Sequence, residues 1–194
     1  MQQFMNKLAR YMAILGGIIL TFLVLLTCVS VLGRTLNSIF HSGFANTILG
    51  DFAQTLLDTG VGPVLGDFEI VEAGIAFAIF AFIPLCQITG GHASVDIFTS
   101  ALPVKINRFI QMIVEILFAI VLILIAWRLY EGMQSKMRYQ ETTFLLQFPI
   151  WWAYAASLVA ACVSAVVAVY MAVVRIAEFL SGRTIIHVGG GAEH

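Results

Sequence analysis

The stretch YMAILGGIILTFLVLLTCVSVLGR, residues 11–34, meets its first charge only at its last residue. As an α-helix rising about 1.5 Å per residue, it is long enough to cross a hydrocarbon core of about 30 Å. Three further stretches, 70–90, 107–130 and 149–175, have the same character. Four spans of this kind leave room for no separate soluble domain in 194 residues. Lys7 and Arg10 precede the first stretch as in a signal peptide, but the apolar run is too long and no small-residue cleavage site follows it. It is read as a retained first helix.

Between the first two spans lies the longest polar connector, residues 35–69. Within it Phe44, Ile48, Phe52 and Leu56 recur every four residues. That spacing predicts a short amphipathic helix, too short to span, lying in the membrane interface or against a partner. The expected fold class is an all-α membrane protein with four transmembrane helices plus this short amphipathic helix in the first extramembrane loop. It forms a single membrane domain over residues 1–194, with a disordered tail at 189–194. Six basic residues (Lys7, Arg10, Lys105, Arg108, Arg175, Arg183) fall on the side of the termini, against four (Arg34, Arg128, Lys136, Arg138) on the other. The balance places both termini in the cytoplasm and the 35–69 loop outside.

Composition narrows the function. Hydrophobic residues make up 60% of the chain and charged ones 11%, against about 45–50% and about 25% in soluble proteins. Membrane lipid is therefore a partner. The net charge of −1 and the lack of a basic run exclude a nucleic-acid partner. Cys28, Cys86 and Cys162 form no C-x-x-C pattern and are read as small buried apolar residues, not as a disulfide or metal site. His41, His92, His187 and His194 all lie outside the middle of the spans, so a haem anchor lacks axial ligands. No zinc, serine-nucleophile or phosphate-loop motif is present, and no catalytic, cofactor-binding or metal residue is assigned.

The polar residues cluster at helix ends. Arg34 closes the first span, and Glu69 and Glu72 open the second; pairing among them would tie helix 1 to helix 2. Pro84 removes one backbone donor inside the second span, and a neighbouring helix can satisfy the freed carbonyl. Gly90-Gly91 suit a helix stop, and Gly91-His92-Ala93-Ser94-Val95-Asp96 follows as a tight connector or a docking element. Pro149 opens the fourth span, with Trp151, Trp152 and Tyr154 as an aromatic belt. Ala155, Ala156, Ala160, Ala161, Ser164 and Ala165 give that helix a face for close helix approach. Glu115 is the one acid well inside an apolar stretch. Two readings stand for it: a proton or cation site in a self-contained small transporter, or a hydrogen-bonded contact between helices, with Gln111 one turn away.

In order along the chain these features resemble the small membrane (Q) subunit of tripartite ATP-independent periplasmic (TRAP) transporters, the DctQ family. The residues that carry the resemblance are Arg34 at the end of helix 1 and Glu69 and Glu72 before helix 2. They continue with Gly91, His92, Val95 and Asp96 of a G-H-x-x-V-D element, then Pro103. Last comes Thr142-Thr143-x-x-Leu146-x-x-Pro149-x-Trp151 before helix 4. Ser94 stands where the family often has a basic residue. The resemblance implies a non-catalytic subunit of the bacterial inner membrane without a cofactor of its own. It implies packing as a static scaffold beside a large elevator-type membrane subunit (M) that holds the substrate and sodium sites. A periplasmic binding protein (P) would deliver the substrate, an organic acid, and the 35–69 loop is placed to touch it.

Overall fold

The computed structural model describes residues 2–41, 62–90 and 103–181. The four apolar stretches form four α-helices: α1 (Gln2–Phe40), α2 (Asp67–Thr89), α3 (Val104–Tyr139) and α4 (Trp151–Ser181). All four are long and apolar enough to cross a membrane, and no strand occurs among the described residues. The amphipathic segment 44–56, the Gly91–Asp96 element with His92, and the tail 189–194 lie outside the described residues.

Helix length is uneven. At about 1.5 Å per residue, the 23 residues of α2 reach about 35 Å, close to one hydrocarbon core. The 39 residues of α1 and 36 of α3 reach well beyond one. The first helix therefore does not stop at Gly33-Arg34 but runs on to Phe40. A single glycine costs a helix only about 1 kcal/mol, and Gly33 has a packing reason: a Cβ there would overlap the Gly62 carbonyl oxygen. Polar residues inside α1 stay satisfied by bonding back one turn, as Thr21 does to the Gly17 carbonyl at 2.8 Å.

The helices stand in an open row, α1 on α2, α2 on α4 and α4 on α3, with only slight contact between α1 and α4. The inner position of α4 shows in its burial: half of its most apolar 18 residues are covered by the chain itself, against 11% for α3. Small residues make these contacts. Ala160 and Ala81 are fully buried and pack together with Met12 of α1. Ala165, Ala168 and Ala172 of α4 meet Ala119 and Leu122 of α3. The alanine face read from the sequence of helix 4 is thus used within the chain. The outward faces remain apolar, for example Leu117, Ile120 and Leu124 of α3 and Val159, Val166 and Val173 of α4.

Candidate functional site

Where α1 meets the start of α2, five polar groups converge. Ser30 Oγ donates to Asp67 Oδ2 at 2.6 Å and accepts the Val64 N–H at 3.3 Å. The Phe68 N–H donates to Asp67 Oδ1 at 2.9 Å, and Arg34 lies 3.8 Å from the same carboxylate. Asp67 precedes the apolar stretch 70–90. The Ser30 hydroxyl holds its carboxyl below the ordinary value, helped by the Phe68 N–H and Arg34 and opposed by burial. The tie between helices 1 and 2 expected of Arg34 exists, but its acid is Asp67 rather than Glu69 or Glu72.

Glu69 is engaged elsewhere. Its two carboxylate oxygens accept the Leu145 N–H at 2.6 Å and the Leu146 N–H at 2.9 Å, reaching across to the α3–α4 connector. Burial works to raise the Glu69 carboxyl, and these N–H groups outweigh it and leave it below its ordinary value. The connector is a narrow turn. Thr142 bridges Pro149, the Thr143 N–H donates to the Phe148 carbonyl at 3.0 Å, and the Ile150 N–H to the Glu141 carbonyl at 3.0 Å. Leu146 lies over Gly66, whose φ of +79° and lack of a Cβ leave room for it. Thr142, Leu146 and Pro149 thus shape one turn, Trp151 begins the helix after it, and Glu69 clasps it to the start of α2.

Pro84 is buried inside α2. It leaves the Phe80 carbonyl without its helical donor, and Ser164 of α4 supplies the bond at 2.7 Å while also bonding the Ala160 carbonyl at 2.9 Å. Near the other end of α2, Gln87 Nε2 donates to Glu115 Oε2 at 2.8 Å. Gln111 is exposed and is not Glu115's partner. Gln87 is 20 residues beyond Asp67 on the same helix, a rise of about 30 Å. The Asp67 and Gln87–Glu115 clusters therefore sit one hydrocarbon thickness apart, and Glu115 lies at the level of the end of α2 rather than at mid-depth.

Beyond that level Arg175 pairs with Glu178 at 2.7 Å, both side chains largely buried, and Phe109 meets Phe179 with ring centroids 5.7 Å apart. Of the cysteines, Cys28 and Cys162 face outward rather than being buried, and none of the three is joined in a disulfide. No group of three or more potential metal ligands occurs among the described residues. Sequence reading missed the roles of Ser30, Asp67 and Gln87, and it placed Ser164 on the contact face of the fourth helix without its bond to Phe80. Each is a common polar residue whose role depends on a helix distant in the chain, and only Pro84 signalled that a donor such as Ser164 was needed.

This arrangement supplies polar ties at two levels, an apolar layer between them, and no convergent ionisable site among the described residues at mid-depth. A family model described as tripartite ATP-independent periplasmic transporters, DctQ component, matches residues 23–178, from within α1 to within α4. No curated protein and no solved structure matches the chain.

Proposed function

The chain belongs to the family of DctQ components of tripartite ATP-independent periplasmic transporters, and from that premise we propose that it is the non-catalytic small membrane subunit that serves as static scaffold to a large elevator-type subunit. The large subunit would import an organic acid with sodium and hold the sodium sites. A periplasmic binding protein would deliver the substrate. The subunit would sit in the bacterial inner membrane with both termini cytoplasmic.

The observation that carries this reading, beside the family match, is the open row of long helices. A row presents a broad wall, whereas a closed bundle shows a narrow one. Ties at two levels about 30 Å apart oppose tilting of α2 against its neighbours. The apolar outer face of α3, with Leu117, Ile120 and Leu124 exposed, offers area for a partner. Binding there would rest on close packing rather than on hydrophobic expulsion, because lipid is as apolar as the protein.

The alternative is a self-contained ion- or proton-coupled transporter working through Glu115. The Gln87 bond and the position of Glu115 at the end of α2 favour a structural role. Glu115→Gln separates the two: uptake by the whole transporter should persist within about threefold for a scaffold, since amide–amide bonding to Gln87 survives. Abolished uptake with normal assembly would establish the alternative. Purification from membranes in mild detergent, with mass spectrometry, tests the scaffold directly. A large multi-span partner at about one copy each is expected, and a lone homo-oligomer would overturn the reading.

A further inference from the structure

Beneath the Glu69 clasp a cavity of about 290 Å³ opens between α2, α4 and the end of α3. On α2 it is faced by positions 69, 72, 73 and 76, and on the α4 side by 150, the residue just before the helix, and by 153, 154 and 157. Both sets follow the i, i+3, i+4, i+7 spacing of one helix face. Much of the wall is apolar, including Leu129 and Phe148, and the polar groups in it are few.

Two of those groups lack partners. At this end of the molecule the described carboxylates are Asp67, Glu69, Glu72, Glu131 and Glu141. Asp67 is paired with Arg34, Glu131 with Arg128 and Glu141 with Lys136, and Glu69 is held by the N–H groups of the connector. Glu72 alone of these has no hydrogen bond or ion pair among the described residues. Ser157 is 2% exposed, and its Oγ has no hydrogen-bond partner. A buried hydroxyl without a partner costs about 1–3 kcal/mol, and here it belongs to a residue that lines a cavity containing an unpaired carboxylate.

From this we infer that the cavity binds a primary ammonium group, the headgroup amine of an aminophospholipid or a free alkylamine. An ammonium brings one positive charge for Glu72 and three N–H donors, one of which answers the unpartnered Ser157 hydroxyl. The ring of Tyr154 adds a face that attracts cations, and the apolar wall takes the carbon arm. Glu72 lies five residues into α2 from Asp67, about 7 Å along the helix, so an amine bound there sits just inside the hydrocarbon boundary that Asp67 marks, within a short reach of the headgroup layer. This site is independent of the scaffold reading and needs no second subunit.

The test uses the full chain in detergent, delipidated and then supplied with phosphatidylethanolamine, phosphatidylcholine or ethanolamine, followed by native mass spectrometry and thermal unfolding. Phosphatidylethanolamine should remain bound and raise the melting temperature. Phosphatidylcholine, whose quaternary nitrogen has no N–H, should do neither. Glu72→Gln should weaken retention roughly tenfold or more, the loss expected for one hydrogen bond to a charged group. Ser157→Ala should weaken it while leaving the ligand-free protein as stable or more so. Stabilisation by ethanolamine but not by phosphatidylethanolamine would support the same site with a soluble amine as its occupant. Equal response to the two lipids with no effect of ethanolamine, or a preference unchanged in Glu72→Gln, would overturn the inference.

Discussion

Ser164 answers a defect that Pro84 creates. The proline leaves the Phe80 carbonyl without its own helix's N–H, and the serine hydroxyl bonds it from the next helix. Replacing Ser164 by alanine strands that carbonyl in an apolar contact and should cost about 1 kcal/mol of stability, in the range of interhelical hydrogen bonds in membranes. In a Pro84→Ala background the helix supplies its own donor, so the same substitution should cost less. Equal costs in both backgrounds, measured by reversible unfolding, would dissociate the two residues. Glu69 allows a different measurement. Its carboxyl is depressed in the fold, so its contribution is present above the unfolded value of about 4.3 and is lost as pH falls through the folded value. Hydrogen-exchange protection of the Leu145 and Leu146 N–H groups should therefore hold at neutral pH and be lost in acid, as pH falls through that depressed value. Glu69→Gln should show weakened protection at every pH. At this scale the sequence exposed the unusual residues, Pro84, Glu69 and Pro149, but not their partners. Glu69 and Leu145 are 76 positions apart, and nothing local to either names the other.

Between elements, the α1–α2 tie separates charge proximity in the chain from pairing in the fold. Arg34, Glu69 and Glu72 were legible as end-of-helix charges, yet Asp67 holds the arginine because Ser30 and the Phe68 N–H have already fixed its carboxylate. A double-mutant cycle should find coupling between Arg34→Ala and Asp67→Ala of about 0.5 kcal/mol, modest because the arginine is half exposed. The cycle of Arg34→Ala with Glu72→Ala should be additive, and coupling there instead would refute the assignment. Helix ends were read less well than helix centres. Apolar periodicity marks where lipid begins, but a helix continues into water until something stops it. For α3 the stop is Gln140, with φ +50° and its N–H turned back to the Lys136 and Met137 carbonyls. Neither Gly33-Arg34 nor Tyr130 provides such a stop.

For the whole molecule, four spans were plain in the sequence, but the neighbour order α1, α2, α4, α3 was not. Lipid and protein interior are equally apolar, so hydropathy says that a helix enters the membrane and not which helix it touches. The alanine face of α4 hinted at close contact without naming α2 and α3. The shortest helix also stands inside the row, fixed to α1 near one end and to α3 near the other. Its long neighbours can meet a thicker or thinner bilayer by tilting, but α2 is pinned and must make the surrounding lipid conform to it, a case of hydrophobic mismatch concentrated on one element. Reconstituted across a series of acyl-chain lengths, the subunit should be most stable where the hydrocarbon is about 30 Å thick and less so to either side, and a flat profile would show that α2 is not pinned. The subunit would then act as a gauge of membrane thickness, holding its surroundings to a fixed depth.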